Sequence, residues 1–400
     1  MTDEQSWQAP GGPPIAPSGP PAPSAPAPFS GYSPPPGAPD AGQPAGWTPP
    51  PKPGLIPLRP LDLGTILGAS FRALRRNPRP TFGVALLVQG VVTLVTLGVV
   101  GYSTISSLVR IDNAGQADEN TIIAGTVGVA FVSALLSVLL GLVANAWLQG
   151  IIVIEVSRAA LGEKLTLKQL WGLAKGRFGA LIGWSLLIAG VFLLAIAIVV
   201  AVIWLMVSTM GALGVGLGVL VGFLGGIALL VVGVWVGTKL SLVPSALMIE
   251  RVRLREAIAR SWSLTNQAFW KTFGIQLLVS VIVGIAMNVI VAPFSILAPL
   301  LLILLDPNGT GSATAVIAAI VVYILQLVVT LVLSAIGAII QTAATALIYI
   351  DLRMRKEGLD LELAKYVEGR QATTTSLGNP YLRPESTPSG YAPTINSPWA

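Results

Sequence analysis

Residues 178–238 run for 61 positions, counted inclusively, without one Asp, Glu, Lys or Arg. Four further stretches share that property: 80–109, 120–154, 272–305 and 307–350. A bilayer core of roughly 30 Å is crossed by about 20 apolar helical residues. Each of the four shorter stretches has length for one crossing. The longest has length for two, with a break expected near Ser208-Thr209-Met210-Gly211. The prediction is therefore an all-α, polytopic membrane protein with six transmembrane helices. Their spans fall at about 82–102, 122–155, 179–207, 214–250, 273–303 and 315–351. A membrane strand barrel needs short alternating segments, and these runs are long and apolar on every face. Composition agrees. Charged residues make up 10% of the chain, against roughly 25% in ordinary soluble domains.

The middle of the chain repeats. Thr81-Phe82-Gly83 returns as Arg177-Phe178-Gly179 and again as Thr272-Phe273-Gly274, each copy opening an apolar run. Glu155, Glu250 and Asp351 are lone acids that each close a later run. Two markers in step predict three tandem repeats, at about 61–155, 165–250 and 252–351. Each repeat holds two crossings, so all three insert in the same sense, as parallel repeats about an axis along the membrane normal. A short amphipathic stretch precedes each: Leu61–Leu67, Leu165–Trp171 and Leu254–Ala259. These read as interfacial helices, with aromatics inward and Lys or Arg toward lipid phosphate. Leu359-Asp360-Leu361 echoes Leu61-Asp62-Leu63 and is expected to dock beside the first of them.

Basic residues flank the crossings on one side. Arg72, Arg75, Arg76 and Arg79 precede the first, Arg158, Lys164, Lys168 and Lys175 follow the second, and Arg353, Arg355 and Lys356 follow the sixth. Arg110 falls opposite, near Asp112, Asp118 and Glu119. The positive-inside rule then places both termini in the cytoplasm. The net charge of +6 suits anionic lipid headgroups of the inner leaflet. Spread over membrane loops, it argues against nucleic acid as a partner.

The second crossing of each repeat carries small or polar residues about four apart: Ser133, Ser137, Gly141, Asn145 and Gln149; Gly233, Gly237, Ser241 and Ser245; Gly337, Gln341 and Thr345. Residues at this spacing share a helix face. The first reading is close helix packing. The second is a polar pocket on the pseudo-threefold axis, lined by Asn145, Gln149 and Gln341. Lys239 lies deep in its apolar run and is grouped with that candidate axis, either snorkelling to the surface or facing Glu250 or a lipid phosphate. Gly214, Gly218, Gly222 and Gly226 predict tight helix contact within one subunit. Glu155, Glu250 and Asp351 are expected to pair with Arg158, Arg253 and Arg353 at the inner surface, with a cation-binding rim as the less favoured use.

Residues 1–57 are proline-rich, 20 of the 31 prolines falling within 1–60. They read as a disordered cytoplasmic tail. Residues 366–400 read the same way, leaving a membrane domain at 58–365. Pro34-Pro35-Pro36 and Pro49-Pro50-Pro51 could dock aromatic grooves of cytoplasmic proteins. Histidine and cysteine are absent. That removes His bases, Ser-His triads and His or Cys metal sites. No phosphate loop or nucleophile elbow is present. No catalysis, cofactor or metal is expected, and oligomeric state is not readable.

The Phe-Gly openings, the stretch Leu254–Thr265 followed by Phe269-Trp270-Lys271-Thr272-Phe273-Gly274, and the ending Thr345–Arg353 resemble the six-helix membrane domain attached to some bacterial glycerophosphodiester phosphodiesterases. They are also similar to stand-alone actinobacterial relatives with proline-rich N-termini. The resemblance covers about residues 58–365 and implies a bacterial plasma-membrane protein. In fused members a separate domain supplies the acids and His for cleavage. This chain has no such domain, so that activity is not carried over. The sequence favours a non-catalytic scaffold for envelope or lipid processes that recruits partners through its tails. The alternative is a transporter or lipid-handling protein using the polar axis.

Overall fold

The computed structural model describes residues 54–112, 119–307, 312–371 and 379–382. The proline-rich tail up to residue 53, with both Pro-Pro-Pro motifs, lies outside them, as do Asp118 and residues 383–400. Among the described residues all regular structure is helical: α1 (Leu63–Arg76), α2 (Pro78–Asp112), α3 (Glu119–Ala160), α4 (Leu167–Ala174), α5 (Phe178–Leu240), α6 (Val243–Ile249), α7 (Leu254–Thr265), α8 (Phe269–Leu305), α9 (Ala313–Glu357) and α10 (Leu359–Gln371).

Five helical segments are long and apolar enough to cross a membrane: Pro78–Ser106, Gly128–Ala160, Phe178–Ile249, Phe269–Leu305 and Ala313–Glu357. The third has 72 residues. Straight, it would reach about 100 Å, three times a bilayer core. It does not run straight. Gly211 has φ 56° and ψ −128°, a conformation that L side chains resist. Beyond it the chain folds back. A Cβ on Gly218 would lie 3.1 Å from Ile203, one on Gly225 3.3 Å from Val199, and one on Gly233 3.1 Å from Phe192. Numbers rise on one arm as they fall on the other, so α5 is a helical hairpin turning at Gly211. Below the hairpin the helix breaks again. α5 stops at Leu240, and α6 restarts at Val243 with Pro244 in its first turn, where a missing N–H costs nothing.

Short and long helices dock in a recurring way. α1 packs on α9, α4 on α3, and α7 on α5 and α6. Each short helix buries residues three or four apart, as an amphipathic helix does: Ile66, Ala69, Ser70 and Ala73 in α1, Leu170 and Ala174 in α4, Ala257, Ser261 and Leu264 in α7. Among the long helices, α2 lies along α3 and α9, α3 along α5, and α8 along α9, whereas α5 and α8 meet at few residues. The buried core gathers at one end of the bundle, in residues 146–161, 242–250 and 335–354. Toward the other end the helices expose large apolar side chains, among them Leu194, Trp204, Leu213 and Leu304. A continuous apolar surface of this kind faces lipid.

The domain boundaries read from sequence need correcting at both ends. Leu55 and Ile56 are buried, and the Leu55 N–H donates to the Ala159 carbonyl at 2.8 Å. The packed domain thus begins before residue 58. At the other end α10 continues to Gln371, and Tyr381 is buried. Its hydroxyl donates to the Ser157 carbonyl at 2.6 Å, and its own carbonyl accepts from Arg353 at 3.1 Å. Polar composition around Tyr381 concealed one aromatic anchor.

Candidate functional site

Three helices carry the polar residues inward. The last turns of α3, the α5–α6 junction and the middle of α9 surround a cavity of about 760 Å³. Asn145, Gln149, Gly237, Ser241, Ser245, Gln341 and Thr345 all line it. The C-terminal ends of the small and polar stripes on α3, the second arm of α5 and α9 therefore border open space, whereas Ser133, Ser137, Gly141, Gly233 and Gly337 do not line it, Gly233 facing Phe192 and Gly337 facing Val283. Two first crossings complete the wall, with Trp184, Ser185 and Phe192 from α5 and Phe273, Gln276 and Ser280 from α8. Among the described residues no Asp, Glu, Lys or Arg lines the cavity.

Its polar groups are partly satisfied by one another. Gln149 donates to Asn145 Oδ1 at 2.8 Å, and the Gln341 amide is bonded to Ser280 Oγ. Thr238 and Ser241 turn their hydroxyls back to helix carbonyls. Two groups are left over. Ser245 is 1% exposed, and its Oγ has no partner among the described residues. The same holds for Gln276 Nε2. A buried polar atom without a partner costs about 1–3 kcal/mol, a cost that either side chain sheds by rotating its polar end toward the cavity.

Beneath the cavity lies an ionic layer. Glu250 comes five positions after Ser245, and Glu155 and Asp351 come six positions after Gln149 and Thr345. All three acids are buried, yet none pairs with the arginine expected from sequence. Arg158 reaches Glu163 at 3.5 Å, and Arg353 reaches Glu250 at 3.4 Å and Glu357 at 2.9 Å. The backbone N–H of Arg253 donates to Glu256, at the start of α7. Residues two apart on a helix face different ways, so Asp351 and Arg353 serve separate partners.

Those partners come from other parts of the chain. Arg260 in α7 grips Glu250 at 3.0 and 2.9 Å, and Tyr349 donates to the same carboxylate. Burial works against the charge on Arg260, but hydrogen bonds and charge from Glu250 and Glu357 hold its pKa above the ordinary guanidinium value. Asp351 accepts from Lys271 at 2.5 Å, from Arg355 at 2.9 Å and from the Leu61 N–H at 2.7 Å. Glu155 accepts from Asn77 at 3.0 Å, while its second oxygen and the nearby Arg76 Nε find no partner among the described residues.

Lys239 departs from the candidate axis. It is 6% exposed, donates to Asn266 Oδ1 at 3.0 Å, and lies 5.2 Å from the Trp262 ring centre. Its face of α5 meets α7, away from the cavity, so neither Glu250 nor open lipid is its partner. The glycine series also divides. Gly214, Gly218 and Gly222 press on the opposing hairpin arm, but nothing lies within 4 Å of a Cβ on Gly226. Gly225 takes that contact instead, because the helical register drifts over three turns.

Gln276, Ser280 and Trp184 escaped the sequence reading, which looked only at second crossings. A signal existed: Ser185 and Ser280 each stand seven residues after the phenylalanine of their Phe-Gly opening. Arg260 and Tyr349 carried no comparable mark.

Apolar helices of spanning length closing around an uncharged polar cavity define a multi-pass helical membrane protein. Residues 219–375 match a family model described as the membrane domain of glycerophosphoryl diester phosphodiesterase, the family its motifs resemble. The match takes in Ser245, Glu250, Gln276, Gln341 and Asp351, while Asn145 and Gln149 lie before it. No curated protein and no solved structure matches the chain.

Proposed function

We propose that this chain is a non-catalytic, lipid-handling membrane protein that binds an amphiphile in the cavity shared by α3, α5, α6, α8 and α9. The observation that carries this reading is the cavity itself. About 760 Å³ lies within the usual range of small-molecule sites, roughly 300–1,000 Å³. It equals the liquid volume of about 25 water molecules, far more than a structural water pair needs. Its wall mixes aromatic rings with amides and hydroxyls, as ligand sites do. This reverses the order in which the sequence ranked its two readings. A scaffold that works through its tails would have no use for such a space.

Six crossings follow from counting the α5 hairpin as two. The three-repeat plan is supported by the docking of α1, α4 and α7, each on the last long helix of the unit before it in the ring. It is supported again by three carbonyls, each two residues before a short helix. Leu61 O accepts from Arg355 at 2.7 Å, Leu165 O from Asn77 at 2.9 Å, and Val252 O from Arg177 at 3.0 Å. Both termini lie in the cytoplasm by the charge asymmetry of the loops, with the short helices at the inner leaflet of the plasma membrane among its anionic headgroups.

The reading is tested by native mass spectrometry of the full chain released from its membrane. A bound amphiphile is expected on the wild type and lost from an Asn145→Leu, Gln341→Leu double variant. A wild type that flies free of any adduct would end the proposal.

A further inference from the structure

The geometry points to one ligand class, resting on the cavity reading above: a lipid with an uncharged, hydroxyl-bearing headgroup, of the diacylglycerol type, that enters sideways between α5 and α8. The first ground is charge. The wall contains Asn145, Gln149, Gln276 and Gln341 and several hydroxyls, but no ionised side chain. A phosphate there would be desolvated without a counter-charge, which costs several kcal/mol per ion. Beneath the cavity Arg260 and Arg353 are matched by Glu250 and Glu357, and Lys239 is turned to Asn266 and Trp262 on the α7 side of α5.

The second ground is the pair of orphaned groups. Both are buried beside the cavity and meet a ligand by side-chain rotation, Ser245 Oγ able to donate and accept and Gln276 Nε2 able to donate. A ligand hydroxyl can bond with both, because it too donates and accepts. An alkyl chain alone would leave both unbonded, and a carboxylate would bring the unmatched charge back.

The third ground is the doorway. α2 lies along α9 and α3 along α5, but α5 and α8 touch at few residues. Two exposed side chains of the cavity wall stand on the elements beside that gap, Val234 on the second arm of α5 at 42% and Leu277 on α8 at 49% exposure. The helix order supplies the reason. In two of the three joints between units, the last crossing of one unit packs along the first crossing of the next. At the third joint it does not, so the opening falls on one side only. Acyl chains can stay in the bilayer between the apolar faces of α5 and α8 while the head turns inward to Ser245 and Gln276.

The experiment places the purified full chain in phosphatidylcholine nanodiscs carrying a photoactivatable diacylglycerol or a photoactivatable phosphatidylglycerol, with free glycerol as a competitor. Diacylglycerol is expected to label residues of α5 and α8 around Val234 and Leu277. Label should fall at least about fivefold in Gln276→Leu, the effect of one lost hydrogen bond. Should that variant fail to assemble, Leu277→Trp narrows the doorway from outside and should lower the label similarly. Phosphatidylglycerol labelling the same residues, undisplaced by diacylglycerol, would overturn the uncharged class and leave the cavity reading standing. Full displacement by glycerol would show a free polyol in place of a lipid. Absence of label from both lipids, with no effect of glycerol, would sink both the inference and the cavity reading.

Discussion

The backbone N–H of Leu61 donates to Asp351 Oδ1 at 2.7 Å, across 290 residues of chain. Arg355 completes the clasp by bonding Asp351 Oδ1 at 2.9 Å and the Leu61 carbonyl at 2.7 Å. The approach to the first helix is thereby tied to the end of the last long one. In the bundle this joint does what a loop does at the other joints, where Asn77 and Arg177 bond the Leu165 and Val252 carbonyls from 88 and 75 residues away. Asp351→Ala would strand a buried N–H and the charges of Lys271 and Arg355. Because Lys271 and Arg355 are 36% and 44% exposed, the expected loss is about 2–3 kcal/mol, below the ~3–5 of a fully buried pair. Asp351→Asn keeps an acceptor for Leu61 and should lose less. Thermal unfolding in detergent checks the order, and equal midpoints for wild type and Asp351→Ala would refute the clasp.

Tyr381 gives the protein an alkaline limit at its C-terminal side. Burial pushes its phenol above the ordinary value, which is about 10. The folded state therefore favours the protonated form. Docking is complete below pH about 10 and is lost as pH climbs from there toward the raised folded value. Chymotrypsin cleavage at residue 381 should stay slow at pH 8 and speed up above pH about 10. Tyr381→Phe forfeits the bond to Ser157, about 1 kcal/mol, and should show no such pH step. A step of equal size in the Phe variant would assign it elsewhere.

How much of this was legible depends on the kind of information periodicity can carry. Charge-free runs, the Phe-Gly openings and the three terminal acids are spaced features, and the break at Gly211 falls where Ser208-Thr209-Met210-Gly211 marked it. The stripes at Asn145, Ser245 and Gln341 were visible too, but whether they close on each other or on a space depends on side-chain volume across three helices. No single helix encodes that. Partner choice was the least readable. Glu250 takes Arg260 and Arg353, 10 and 103 positions away, and passes over Arg253 at three, because the loop after α6 turns Arg251 through φ 58° and redirects the chain toward α7. Ser280 and Ser185 were readable in principle from their shared phase. Tyr381 was not, since nothing in the polar tail sets it apart from Tyr391 and Trp399.

The hairpin of α5 separates glycines that look alike in sequence. A Cβ at Gly214 would strike the Met206 carbonyl and come within 3.0 Å of Val207 Cα, both backbone atoms that cannot rotate aside. Gly226, in the same series, has nothing within 4 Å. Gly214→Val should therefore open the turn and lower folded yield severely, by ~3 kcal/mol or more as overpacking and strain combine. Gly226→Ala should be neutral or gain about 0.5–1 kcal/mol from helix propensity. Yields and unfolding midpoints of the two variants compare directly. Equal tolerance at both would refute the packing of the two arms.

Lys239 and Asn266 test whether a buried cation at the α5–α7 contact is needed or merely accommodated. The ammonium is held by the Asn266 carbonyl oxygen at 3.0 Å and by the face of Trp262. Its stem lies among apolar neighbours, which a methionine can replace at nearly equal volume. Lys239→Met should therefore cost under about 1.5 kcal/mol, the ceiling for a volume-conserving swap. Asn266→Leu is expected to be worse, at about 2–4 kcal/mol, because it leaves a desolvated charge with only a ring for company. The double variant should recover most of that loss, since removing both partners avoids the unmatched charge. Four unfolding midpoints close the cycle. If the double variant falls by the sum of the singles, the two side chains do not interact, and Lys239 must be held by Trp262 alone.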